Sequence, residues 1–179
     1  MGALRPSEAS ALVIRVELPA ALAALRLRSD QNAADGVPAH VTLLYPFAEP
    51  AAIDAGVVGT VASIVGRHAP WSMVLGERRR WPEVLYASVE PDAPVRALQA
   101  ELAAAFPTLP LGWGEFEFTP HVTIAEGPGA HDPAVAGDPA WSELPLTQIV
   151  DAVELIVRDA DGRWRVDRQF PMRDPGSTA

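Results

Sequence analysis

Two tetrapeptides of one form, His40-Val41-Thr42-Leu43 and His121-Val122-Thr123-Ile124, constrain this chain more than any other feature. Each alternates a polar side chain with an aliphatic one, as a half-buried strand does. Residues two apart on a strand face the same way, so each motif presents an imidazole beside a hydroxyl and turns its valine and its Leu or Ile toward a core. The surroundings of the two motifs repeat as well. Residues 11–18 (ALVIRVEL) predict a strand, Pro19 opens a short helix with Leu22 and Leu25 on one face, residues 29–38 predict a loop with Asp35-Gly36 as turn chemistry, and residues 40–44 predict the first histidine strand. Residues 84–90 (VLYASVE) again predict a strand, Asp92 an N-cap for a helix carrying Val95, Leu98, Leu102 and Phe106, and residues 121–125 the second histidine strand. Each histidine follows a proline closely, in Pro38-Ala39-His40 and Pro120-His121. Two such halves predict a duplicated α+β unit.

Between and after these passes, an amphipathic helix is expected over 51–67, with Ile53, Val57, Val58, Val61, Ile64 and Val65 at spacings of three and four. A strand is expected at 71–75 and a turn region at 76–82 that holds Arg78, Arg79 and Arg80. Residues 127–140 predict at most a short helix. Residues 146–158 and 164–170 predict a hairpin turning at Asp161-Gly162. The expected organisation is a single domain over 1–173, made of two pseudo-symmetric lobes at about 10–83 and 84–170, with a disordered tail at 174–179.

Composition removes several chemistries. The chain has no cysteine, which excludes a disulfide scaffold, thiolate metal sites and a cysteine nucleophile. All 14 basic residues are arginine, so Schiff-base chemistry on lysine is excluded too. A net charge of −9 repels a nucleic-acid backbone, so a nucleic-acid substrate would be gripped at a terminus and not along a track. The N-terminus carries no secretory pattern, and no stretch approaches the roughly 20 apolar residues of a membrane span. A cytoplasmic monomer without membrane partners is the expectation.

The paired motifs have a direct chemical reading. Opening a phosphodiester needs one group to take a proton from water and another to protonate the leaving oxygen. Imidazole and imidazolium do both, because histidine titrates near neutrality. Thr42 and Thr123 can donate hydrogen bonds to non-bridging phosphate oxygens. No acidic cluster lies beside either motif to hold a metal, so neither a metal nor a cofactor is expected.

In these residues the chain resembles the 2H phosphoesterase superfamily, in particular its 2′-5′ RNA ligase and 2′,3′-cyclic phosphodiesterase-like proteins. That family carries two His-x-Thr/Ser-x motifs about 80 residues apart, and HVTLLYPF and FTPHVTIAEG are similar to its two core segments. The resemblance covers about residues 10 to 170. It implies a bilobal α+β fold of two antiparallel sheets around a central cleft with flanking helices. It also implies a metal-independent phosphodiesterase acting on a 2′,3′-cyclic phosphate of a nucleotide or RNA terminus, or on a related small phosphodiester. His40 would donate the proton, His121 accept it, and Thr42 and Thr123 bind phosphate. A non-catalytic module for phosphorylated nucleotides or RNA ends and an RNA 2′-5′ ligase are the alternatives. Many RNA-directed members carry an arginine soon after the second motif, where this chain has Ala125-Glu126-Gly127.

Further substrate contacts are sought among Tyr45, Arg78, Arg80 and Trp113, with Arg79, Phe47, Trp81 and Phe116 as neighbours of the same type. His68 and His131 are assigned no catalytic role, and Glu115 and Glu117 are expected to face solvent.

Overall fold

The fold was analysed in a computed structural model that describes residues 9–108 and 117–173. The expected tail at 174–179 lies outside them, as do Trp113, Glu115 and Phe116. The strands are β1 (Ser10–Arg15), β2 (His40–Leu44), β3 (Trp71–Trp81), β4 (Val84–Glu90), β5 (His121–Glu126), β6 (Leu146–Val150), β7 (Ala152–Arg158) and β8 (Trp164–Pro171). The α-helices among the described residues are α1 (Ala20–Ser29), α2 (Gln31–Ala34), α3 (Ala55–Val65), α4 (Ala93–Ala105), α5 (Pro128–His131) and α6 (Pro133–Ala136).

The eight strands among the described residues form one antiparallel sheet, in the order β6-β3-β4-β5-β2-β1-β7-β8. The mixed helix-and-strand class is as expected. The expected two sheets are instead joined where β2 meets β5 at one registered pair, Val41 opposite Val122. The halves of the sheet also do not follow the expected lobes of 10–83 and 84–170. The β3–β4 hairpin spans that boundary, and β7 returns to pair with β1. The cause lies in residues 146–158, expected as one strand. The ladder breaks at Asp151, so β6 pairs with β3 while β7 pairs with β1 and β8.

Strand β1 is covered on both faces, which is why its sequence is a continuous apolar run. Leu12 and Ile14 join the large core, while Ala11 and Val13 join a smaller cluster with Val37 and Ile156 on the opposite face. Val41, Leu43, Val122 and Ile124, the aliphatic halves of both motifs, are fully buried in the large core. Helix α1 adds Leu22 and Leu25, α3 adds Val61, Ile64 and Val65, and α4 adds Val95, Leu98 and Leu102.

Local chemistry corrects several boundaries. The helix expected over 51–67 divides into a 3₁₀ turn at Pro50–Ala52 and α3, because Asp54 Oδ1 accepts the Val57 N–H at 2.9 Å and caps a new start. Asp92 does not cap α4 with its side chain; its Oδ2 instead takes Arg96 Nε at 2.6 Å. The expected loop at 29–38 contains α2, capped by Asp30 Oδ1 on the Asn32 N–H at 2.9 Å. Gly36 follows at φ +99°, a left-handed conformation, with the Trp164 carbonyl where a Cβ would stand. Residues 127–140 hold both α5 and α6. Gly129 in α5 lets that helix lie against α1, since a Cβ there would come within 2.2 Å of the Ser29 carbonyl oxygen.

The arginine-rich segment is also strand and not turn. Arg78, Arg79 and Arg80 pair with Ala87, Tyr86 and Leu85 across β4, after a bulge at Gly76-Glu77 where Ser88 Oγ accepts the Glu77 N–H at 3.0 Å. No helix among the described residues is long and apolar enough to cross a membrane. Because Leu98 is fully buried where α4 covers the sheet, Leu98→Ala is expected to cost about 2–5 kcal/mol in urea unfolding, as core truncations do.

Candidate active site

Both motif histidines are anchored in the same way. His40 Nδ1 lies 2.8 Å from the Pro38 carbonyl oxygen and His121 Nδ1 lies 2.8 Å from that of Thr119, in each case two residues upstream. A carbonyl only accepts, so Nδ1 carries the proton and Nε2 presents a lone pair in the neutral ring. Thr42 Oγ1 stands 3.0 Å from His40 Nε2 and donates to it.

The pairing of Val41 with Val122 sets His40 beside Thr123 and Thr42 beside His121, all on the face opposite the core. Cross-strand neighbours of this kind lie about 5 Å apart at Cβ, and the two histidines, on the diagonal, about 7–8 Å. A single phosphate fits between groups at that separation. The four side chains line an open cleft of about 380 Å³ together with Arg26 and Glu126. Trp81 and Tyr86 wall the far side of His121, with ring centroids 4.6 and 5.4 Å from its imidazole, both near edge-on.

Arg26 is buried, and it ties the site together. Its Nη1 donates to the Val37 carbonyl at 2.9 Å and its Nε to the Thr123 carbonyl at 3.2 Å, so one side chain holds the approach to the first motif and the backbone of the second. Its Nη2 pairs with Asp30 Oδ2 at 3.0 Å, and Asp30 is buried as well. The cleft disfavours protonated histidine. Burial above all, and then the Arg26 guanidinium and His121, lower the pKa of His40 to about 4, against the opposing pull of the Pro38 carbonyl. Burial likewise lowers His121, with the Thr119 carbonyl acting the other way. Glu126 is raised, chiefly by burial and then by Asp30, while its bond from Asn32 opposes the rise.

The cleft thus brings together His40, Thr42, His121 and Thr123, with Tyr45 at its rim. Tyr45 is 45% exposed, with its ring 6.2 Å from that of Trp164. Arg78 and Arg80 do not reach it. Their strand positions turn them to the opposite face, where Arg78 donates to the Ala136 carbonyl and lies over the Trp141 ring, and Arg80 approaches His131 at 3.5 Å. Arg79, between them, faces the cleft side opposite Tyr86. Trp113 falls outside the described residues. Phe47 is core, edge-on to Phe106. His68 pairs with Glu101 at 3.2 Å and His131 with Glu83 at 2.9 Å, both away from the cleft. Glu117 is exposed and pairs with Arg96. Among the described residues no group of three His, Asp or Glu gathers to hold a metal.

Sequence reasoning missed Arg26, Asp30 and Trp164. The first two left a signal: Arg26 follows Leu22 by four, on the buried stripe of α1, and Asp30 follows Arg26 by four. Trp164 left none, because its place depends on a backbone bond from its N–H to the Asp35 carbonyl across the fold. Arg26→Met strands the buried Asp30 carboxylate and is expected to cost about 3–5 kcal/mol in denaturant unfolding, with part of the loss recovered in the Arg26→Met/Asp30→Asn double variant, which removes the stranded charge and keeps a side-chain oxygen to cap α2.

Residues 14–162 match the family model of the 2′-5′ RNA ligase superfamily. A protein of Bacillus pumilus (strain SAFR-032), provisionally named a phosphoesterase, is 29% identical over 156 residues, covering 84% of this chain and 88% of its own. One of Bacillus cereus (strain ATCC 10987 / NRS 248) with the same provisional name is 28% identical over 150 residues, covering 82% and 85%. The fold is similar to that of TT0787 of Thermus thermophilus, with TM-score 0.61 and 19% identity over 93% of this chain and 99% of that one. It is also similar to E. coli LigT complexed with 3′-AMP, with TM-score 0.58 and 17% identity over 93% and 99%. The two histidine motifs and the match over most of the chain agree: the protein belongs to the 2′-5′ RNA ligase superfamily of 2H phosphoesterases.

Proposed function

We propose that this protein is a metal-independent phosphodiesterase that opens a 2′,3′-cyclic phosphate, or hydrolyses a related small phosphodiester, by acid–base catalysis between His40 and His121. The observation that carries this reading is the matched anchoring of both imidazoles. Each is fixed through Nδ1 to a carbonyl two residues back, which leaves Nε2 as the working atom of both rings on one cleft that Thr42 and Thr123 also line. One Nε2 accepts a proton from water as its oxygen bonds to phosphorus. The other delivers a proton to the ribose oxygen as the P–O bond breaks, and a 2′- or 3′-monophosphate leaves. Thr42 and Thr123 hold the non-bridging oxygens. The LigT structures complexed with 3′-AMP, ATP and phosphate support a nucleotide-phosphate substrate class for a cleft of this fold. The acidic chain supports a terminus or a small nucleotide over a long RNA.

Both rings are neutral in the free cleft, so the acid gains its proton when the anionic substrate arrives and raises both pKa values. The family resemblance makes His40 the donor and His121 the acceptor. The Arg26 guanidinium, which disfavours His40 imidazolium, favours the reverse assignment.

Turnover of nucleoside 2′,3′-cyclic phosphates in EDTA tests the reading. His40→Ala and His121→Ala are each expected to lose at least about 10²-fold in kcat with the melting temperature held. An aryl phosphodiester with a good leaving group separates the roles: the variant lacking the acid recovers on it and the variant lacking the base does not. Near wild-type turnover by either variant on the cyclic substrate would overturn the mechanism.

A further inference from the structure

One end of the cleft is lined by hydrogen-bond acceptors where a phosphate-rich ligand would need cations. Glu126 lines it as the last residue of β5, three beyond Thr123, and its Oε2 accepts from Asn32 Nδ2 at 2.8 Å. Asn32 lines the same end, and its amide nitrogen is directed to Glu126, so Asn32 Oδ1 and Glu126 Oε1 remain as acceptors. Arg26 is the arginine of this lining, and its Nε, Nη1 and Nη2 are engaged by two backbone carbonyls and Asp30. Those donors are therefore engaged within the protein. Tyr45 and Trp164 also line the cleft, with ring centroids 6.2 Å apart, and the loop that carries Asn32 is bonded to Trp164 through Asp35.

We propose that Glu126, held by Asn32, is a specificity-determining residue: it receives hydroxyl or amine donors from the part of the substrate beyond the reacting phosphate and rejects a substrate that carries a second phosphate there. The inference rests on the reading that His40, Thr42, His121 and Thr123 hold one phosphate. Two anionic groups a few ångströms apart in a partly desolvated cleft repel by an amount that converts to about tenfold in affinity or more.

Calorimetry with adenosine 3′-monophosphate and adenosine 3′,5′-bisphosphate tests this on the full chain. Wild type is expected to bind the monophosphate at least about tenfold more tightly. The isosteric Glu126→Gln variant is expected to close most of that gap, strengthening the bisphosphate as the repulsion is lost and weakening the monophosphate a few-fold as the charged acceptor is lost. A residue that merely braced the loop would shift both ligands together and leave their ratio alone. Equal affinities in wild type, or a ratio unmoved by Glu126→Gln, would overturn the role of Glu126 and leave the phosphate site standing. Failure of both ligands and of inorganic phosphate to bind would overturn the phosphate reading itself, and this inference with it.

Discussion

The site depends on one cross-strand pair. Where β2 meets β5, Val41 stands opposite Val122, and that register alone brings two distant histidine–threonine pairs onto a common face. A slip of one residue would turn the imidazole and hydroxyl of one motif into the core and its valine out to solvent, while the other motif kept its face. The buried aliphatic residues of the two motifs therefore do more than fill volume. Val41, Leu43, Val122 and Ile124 lock the register because any other one would expose them. The ladder between the halves is short, and Arg26 reinforces it from α1 by bonding to the carbonyls of Val37 and Thr123 on either side of the seam.

The same arrangement sets the electrostatics. Burial of both imidazoles, with the Arg26 guanidinium acting on His40 as well, disfavours their protonated forms. An anion between them reverses that preference, since it stabilises imidazolium on either side. The cleft is thus poised to become acidic when an anion enters. Backbone carbonyls at Pro38 and Thr119 fix the tautomers and leave Nε2 as the working atom of each ring.

Much of this was legible in the sequence because it is local. The alternation in His-Val-Thr-Leu and His-Val-Thr-Ile gave strands, a common face and the identity of four cleft residues. Cross-chain geometry was not legible. The break at Asp151 that sends β6 and β7 to opposite halves of the sheet has neither a glycine nor a proline to mark it. The three arginines read as a turn because charge runs are usually solvated, yet a bulge at Gly76-Glu77 carries the strand through them and turns Arg78 and Arg80 to the outer face. The buried pair of Arg26 and Asp30 hid in the last turn of a helix where basic residues commonly face water.

The central claim is that two histidines from different parts of the chain meet one phosphate. Nuclear magnetic resonance of the four histidine rings during titration with inorganic phosphate tests it most directly. The account predicts that the His40 and His121 signals move together along one saturating curve with a shared Kd, while His68 and His131, which lie away from the cleft, stay in place. Movement of only one motif histidine, or two curves with different midpoints, would contradict it.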